Sequence, residues 1–155
     1  MFQQLEQVAG RAGRADLPGE VLIQTRYPGH PLYQALARHD YEGYARILLE
    51  ERRQAGFPPF IFEAALRAEA AQLEPAMRFL RDAVALAPAS PEAVTIFDPA
   101  PMTLERIAGK SRAQLLVQSP TRTRLQPFLA AWSAALYAGR FPGVRWHIDV
   151  DPTEF

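Results

Sequence analysis

Cysteine is absent from this 155-residue sequence, which excludes a disulfide framework and a thiolate metal site. The three histidines are scattered, so we expect no zinc site and no other bound metal. An excess of one charge is also lacking, because 17 lysines and arginines balance 17 aspartates and glutamates. Any nucleic-acid contact must then come from a local basic patch. Uncharged runs are too short to span a membrane and the N-terminus lacks a signal-peptide layout, so we expect a cytoplasmic protein without membrane contact.

The chain does contain 9 glycines and 14 prolines, with a hydrophobic fraction of 48%. This fraction supports a packed core, and the glycines and prolines divide the sequence into short elements. Residues 1–9 have the spacing of a helix end without a cap, which suggests either a fragment of a longer protein or an engineered boundary. A strand is predicted for 20–25, a helix for 31–39, and a second helix that Asp40 caps and Gly56 ends. One face of this second helix is expected to dock on a core: Tyr41, Tyr44, Ala45 and Leu48.

The pattern of apolar residues changes over residues 60–150. Alternating apolar residues predict strands near 60–68, 94–97, 112–118 and 144–150. Two apolar stripes predict helices over 74–87 (Met77, Leu80, Val84, Ala87) and 120–138 (Leu125, Phe128, Leu129, Trp132, Leu136). The order strand, helix, strand, strand, helix, strand is the split βαβ plan. We therefore predict an α+β fold whose C-terminal domain is ferredoxin-like, with a four-stranded antiparallel sheet and both helices on one face.

The segment from Gln7 to Arg14 reads Gln-Val-Ala-Gly-Arg-Ala-Gly-Arg. Arg11 and Arg14 lie among small residues that allow close backbone approach, so their guanidinium groups could meet one polyphosphate. A glycine-rich turn with solvated arginines fits this spacing equally well. The string resembles the last motif of superfamily 2 DNA helicases, in the form found in the PriA family of primosomal helicases.

The resemblance to this family continues along the chain in Pro18–Thr25, Glu51–Arg53, Gly56–Phe60, Arg112–Gln118 and Asp149–Pro152. It implies three parts: the end of a RecA-like helicase lobe in 1–29, a helical connector in 30–59 and the family's C-terminal domain in 60–155. The implied parent is an ATP-dependent 3′–5′ DNA helicase that restarts stalled replication forks and assembles the primosome with other primosome proteins. The alternative is a free-standing ferredoxin-like module that binds nucleic acid or protein.

The resemblance also implies roles for residues of the first motif. Arg11 and Arg14 would be catalytic only in the full-length parent, with Gln7 and Gly10 at the nucleotide. The phosphate-binding loop, the acidic magnesium-binding box and the zinc-binding cysteines of the family are not in this sequence. We therefore assign ATP, magnesium and zinc to the parent, and expect this chain alone to hold no cofactor and to be inactive.

A second candidate site lies at the start of the helix over 120–138. Arg122 and Gln126 are one helical turn apart beside an apolar stripe, which suits a peptide with a carboxylate and a bulky apolar side chain. An ordinary amphipathic helix with a polar flank is the alternative. PriA-like proteins bind the acidic C-terminal tail of the single-stranded-DNA-binding protein at the corresponding stretch, so the resemblance assigns this role to Arg122 and Gln126.

A third candidate is the basic group of Arg106, Lys110 and Arg112 around the hairpin glycine, Gly109. Such side chains could contact the phosphates of forked or single-stranded DNA, although a solvated hairpin is as good an interpretation.

Two further signals are discounted. Asp149 and Asp151 would share one side of a strand but lack a third metal ligand, and His147 is interpreted as a surface histidine.

Overall fold

The computed structural model describes residues 2–11, 20–89 and 94–153. The chain divides into two compact units, Met1–Ala55 and Gly56–Phe155, which are described separately. Among the described helices, none combines the length and apolar character needed to span a bilayer.

The described part of the first unit contains three helices, α1 (Phe2–Ala9), α2 (Pro31–Ala37) and α3 (Tyr41–Ala55). The predicted cap of α3 is confirmed, because the Asp40 Oδ1 atom accepts a hydrogen bond from the Gly43 amide at 2.8 Å. His30 plays the same part for α2, where its Nδ1 atom accepts from the Leu32 amide at 3.1 Å. The small core cluster of the first unit contains Phe2, Leu32, Leu36 and Tyr44.

One prediction for this unit is confirmed in part and another is wrong. On the docking face of α3, Tyr44 is buried and the Tyr41 ring centroid lies 5.2 Å from that of Phe2, whereas Tyr41 and Leu48 remain 46% and 37% exposed. The strand predicted for 20–25 is an irregular segment. A strand needs a neighbour to complete its hydrogen-bond ladder, and the described residues of this unit provide none.

Over its described residues, the second unit combines two helices with five strands in one sheet. In chain order the elements are β1 (Phe62–Ala70), α4 (Leu73–Ala85), β2 (Thr95–Ile96), β3 (Ala100–Ile107), β4 (Lys110–Ser119), α5 (Arg122–Ala138) and β5 (Arg145–Val150). β1 lies between β5 and β4, and the other edge of β4 pairs first with β2 and then with β3. All these pairs are antiparallel, so the unit is a mixed helix and sheet domain with an open antiparallel sheet.

The expected four strands are corrected to five, because the second predicted strand is followed by an additional one. β2 and β3 share one edge of β4, and β3 includes Pro101. Proline lacks an N–H group to donate, so it is tolerated where a strand forms the edge of a sheet. The register of β3 against β4 shifts between Pro101 and Arg106.

The main core lies between one face of this sheet and both helices. Ala64, Leu66 and Ala68 of β1 oppose Val117, Leu115 and Ala113 of β4 on this face. The predicted stripe of α5 is confirmed, since Leu125, Phe128, Leu129, Trp132 and Leu136 are all buried. Trp132 also connects the two helices, because its Nε1 atom donates a hydrogen bond to the Ala83 carbonyl at 2.8 Å.

The stripe predicted for α4 is rotated in the structure. Leu80 is buried as expected, but Val84 is 38% exposed, and Phe79 takes a central place. The Phe79 ring centroid is 4.7 Å from that of Phe141 and 6.0 Å from that of Trp146. A phenylalanine buries more apolar area than a valine, so this aromatic cluster determines which face of α4 contacts the sheet.

Candidate functional site

The start of α5 carries a compact group of three side chains. A guanidinium nitrogen of Arg122 lies 2.8 Å from the Asp151 Oδ2 atom. The same guanidinium stands over the Phe62 ring, with its central carbon 5.0 Å from the ring centroid. Arg122 and Asp151 are about half exposed, at 51% and 49% of their side-chain areas. The group therefore presents a cation and a carboxylate at the protein surface, beside a partly buried aromatic ring.

Local structure explains why Arg122 is the first residue of α5. β4 ends at Ser119, and its hydroxyl group donates a hydrogen bond to the Thr121 carbonyl at 3.1 Å, which supports the turn into the helix. The first turn of α5 has no acidic residue, and Thr121 makes no side-chain capping bond. The positive end of the helix dipole and the Arg122 guanidinium thus favour an anion at the same place.

Asp151 reaches Arg122 because of its backbone. It follows the end of β5 with a φ of 54°, in the left-handed region, and its amide donates to the Glu63 carbonyl at 3.0 Å. Asp149, two residues earlier, instead forms an ion pair with Arg67 at 3.3 Å. The two aspartates therefore serve different arginines, and the described part of the chain contains no cluster of metal-ligating side chains.

Gln126 is exposed on α5, one helical turn beyond Arg122. The apolar stripe that was expected to receive a peptide side chain beside it lies in the core, with Leu125 and Trp132 1% and 0% exposed. The sequence interpretation of that apolar surface is therefore wrong, and the aromatic side chain that contacts Arg122 is Phe62. The alternation in β1 placed Phe62 on the helix-facing side, but no local signal showed that α5 begins above it.

The hairpin between β3 and β4 turns at Ala108 and Gly109, which have φ values of 50° and 77°. Arg106 opposes Ser111, whereas Lys110 opposes Ile107. Because successive residues project from opposite faces of a strand, Arg106 projects from one face and Lys110 and Arg112 from the other. Arg112 also pairs with Glu69 at 3.4 Å and its side chain is only 18% exposed. The three predicted DNA contacts thus do not form one patch.

The first motif is only partly described. Gln7 is exposed on α1, and Gly10 and Arg11 follow the helix end, where the Gly10 amide donates to the Glu6 carbonyl at 2.8 Å. Arg14 lies outside the described residues. Gly10 lines an open cleft of about 740 Å³ within the first unit, together with residues of α2 and of the segment 21–28.

Comparisons with known proteins agree on one family. Residues 53–153 match the family model described as "Primosomal protein N C-terminal domain". The chain is 38% identical over 149 residues to "Replication restart protein PriA" of Haemophilus influenzae, with 96% of this chain and 20% of that protein aligned. It is 39% identical over 123 residues to the protein of the same name from Synechocystis, with 77% of this chain and 15% of that protein aligned.

A third relative shows a similar match. The "Replication restart protein PriA" of Bacillus subtilis is 32% identical over 129 residues, with 83% of this chain and 16% of that protein aligned. The chain thus spans about a fifth, or less, of the length of these relatives. Because the family model covers most of the second unit and the relatives extend the match into the first, the chain belongs to the family of the primosomal protein N C-terminal domain.

Proposed function

We propose that this chain acts in replication restart as the C-terminal module of a PriA-like protein and contributes to primosome assembly. The names of the relatives support this role, and their greater length leaves room for ATP-dependent 3′–5′ helicase activity outside the chain. In this proposal Arg11 and Arg14 act on ATP, with its magnesium, only alongside the remainder of such a protein, and Gln7 and Gly10 lie near the nucleotide.

The proposal extends to the architecture. We assign residues 60–155 to a ferredoxin-like domain, 30–59 to a helical connector and 1–29 to the end of a RecA-like lobe. The strand order β5, β1, β4 and then β2 with β3 supports the first assignment, if β2 and β3 together replace one strand of that plan. The position of α4 and α5 on a single face of the sheet is also in keeping with it.

In this proposal, the chain binds the acidic C-terminal tail of a single-stranded-DNA-binding protein at Arg122. The observation that carries this assignment is the contact of the Arg122 guanidinium with a carboxylate at 2.8 Å and with an aromatic ring at 5.0 Å. A peptide that ends in phenylalanine offers the same two groups, a carboxylate and a ring. The uncapped start of α5 adds a favourable dipole for an anion.

The roles of the side chains follow from their positions. Arg122 binds the terminal carboxylate, and the Phe62 ring forms an apolar wall for the phenylalanine of the peptide. Gln126, exposed one turn along α5, hydrogen-bonds the peptide backbone. The site is open to solvent on several sides, so the affinity of the isolated chain is expected near the millimolar end of the range.

A peptide titration tests this assignment. An acidic peptide with a C-terminal phenylalanine is added to isotope-labelled protein while backbone NMR shifts are followed. Shifts should cluster at residues 119–129 and near Phe62, and Arg122→Ala should weaken binding by about tenfold, the lower end for a charge-assisted hydrogen bond. Arg124→Ala is the matched control, because Arg124 is an exposed arginine of the same helical turn. Equal losses in the two variants, or shifts elsewhere, would reject the site.

A DNA contact at the β3–β4 hairpin is a second candidate. The observation that favours it is the tight, exposed turn at Ala108 and Gly109, which Lys110 directly follows. Lys110→Ala should weaken single-stranded DNA binding and reduce the salt dependence by about one phosphate contact. Arg81→Ala is the control, since Arg81 lies on α4 in an ion pair with Glu74. An unchanged salt dependence in the Lys110 variant would remove the hairpin from the interface.

A further inference from the structure

We infer that Asp151 is an internal competitor for the Arg122 site, so that the chain reduces its own affinity for a carboxylate-ended peptide. This inference rests on the proposed peptide function and adds a means of regulation to it. Its starting point is the ion pair at 2.8 Å between Arg122 and the Asp151 Oδ2 atom. The carboxylate of Asp151 occupies the position in which the terminal carboxylate of a peptide would meet the guanidinium.

The backbone holds Asp151 in this position. β5 pairs with β1 as far as Val150 opposite Ala64, and the Asp151 amide then donates to the Glu63 carbonyl at 3.0 Å. The φ of 54° is uncommon for a residue with a side chain, although aspartate tolerates it better than most. This conformation directs the carboxylate toward α5, whereas Asp149 on the regular strand meets Arg67.

The same geometry makes the competitor displaceable. Both partners of the ion pair are about half exposed, at 51% and 49%, and an exposed ion pair is only weakly favourable in water. The hydrogen bond from the Asp151 amide to Glu63 does not depend on the carboxylate. An incoming carboxylate can therefore replace Asp151 at Arg122 without unfolding the end of β5.

The consequence for binding is quantitative. A peptide binds only the fraction of molecules in which Arg122 is released, so its apparent affinity falls by that fraction. The negative charge of Asp151 also repels the peptide carboxylate after displacement. Removal of this charge should therefore strengthen binding by about two- to fivefold, the range that an exposed ion pair can supply.

The test compares peptide affinity among charge variants of the full chain. The probe is an N-acetylated hexapeptide with three aspartates, two apolar residues and a C-terminal phenylalanine, used with a free carboxylate or as its amide. Asp151→Asn keeps a residue that tolerates a positive φ, and Asp151→Gly provides the same backbone freedom without any side-chain carbonyl. Asp149→Asn is the matched control. It removes the same charge at a position two residues before Asp151, where the aspartate pairs with Arg67 and not with Arg122.

Both Asp151 variants should bind the free-carboxylate peptide about two- to fivefold more tightly than the parent chain. Asp149→Asn should change the affinity by less, and the amide peptide should show no gain. The NMR signal of the Arg122 Nε–H group should shift in the Asp151 variants without peptide, as the ion pair is lost. Peptide binding at Arg122 with unchanged or weaker affinity in both Asp151 variants overturns this inference alone. Absence of binding in all variants overturns the proposed peptide function and the inference with it.

Discussion

Trp132 connects α5 to α4 through a hydrogen bond, and its replacement by phenylalanine should destabilise the second unit. The indole is fully buried and donates a hydrogen bond to the Ala83 carbonyl at 2.8 Å. Loss of that bond costs about 1 kcal/mol, and loss of the second ring removes apolar contact and leaves a cavity worth about 1 to 2 kcal/mol. Trp132→Phe should therefore lower the free energy of unfolding by about 2 to 3 kcal/mol.

Urea unfolding followed by tryptophan fluorescence measures this loss. The chain has only two tryptophans, Trp132 and Trp146, and both lie in the second unit, so the remaining one reports on that unit. Trp146→Phe is the matched control, because Trp146 is only partly buried on β5 and should cost less than half as much. Equal effects of the two substitutions would refute the assignment of Trp132 as the tie between the helices.

Three other perturbations test the domain division, the hairpin and the nucleotide assignment. A chain trimmed to begin at Phe57 should keep a cooperative thermal transition, because the main core lies within the second unit; a gradual melt would place the boundary elsewhere. Gly109→Ala should lower the free energy of unfolding by about 1 kcal/mol, because Gly109 has a φ of 77°. Gly29 also has open space around it but no positive φ, so Gly29→Ala should leave the free energy of unfolding, measured in urea, nearly unchanged. A fluorescent ATP analogue should show no saturable binding to the chain, and magnesium-dependent saturation would contradict the assignment of the ATP site to a longer protein.

The two helices of the second unit show what a sequence pattern can and cannot predict. The stripe of α5 was predictable because large apolar side chains such as Phe128 and Trp132 recur at helical spacing and cannot all face water. The buried face of α4 was not, because Phe79 is held by Phe141 and Trp146, which lie about 60 residues further along the chain. Contacts of such long sequence separation leave no periodic signal in the helix itself.

Strand prediction failed where pairing, and not alternation, decided the outcome. β3 includes Pro101 and was not predicted as a strand, yet it forms because the edge of β4 supplies partners. Residues 20–25 alternate apart from Leu22 and remain irregular in the described structure. A strand is a property of two segments, so one segment's pattern is insufficient evidence for it.

Only some residues of the candidate site could be identified from the sequence. Arg122 and Gln126 were identified from the resemblance of a short stretch to the PriA family. Phe62 and Asp151 were not, because β1, β5 and α5 bring them together only in the folded chain. Alternation assigned Asp149 and Asp151 to one side of a strand, but the positive φ at Asp151 takes that residue out of strand geometry and toward Arg122.

The proposed peptide function depends on a contact between the Arg122 guanidinium and the terminal carboxylate of a phenylalanine-ended acidic peptide. A double-mutant cycle isolates this contact by measuring the affinities of the free-carboxylate and amide peptides for the parent chain and for Arg122→Ala. Amidation should weaken binding by about tenfold in the parent chain and have almost no effect in the variant, since the two groups contact each other. An equal loss on amidation in both proteins would show that the carboxylate does not bind at Arg122.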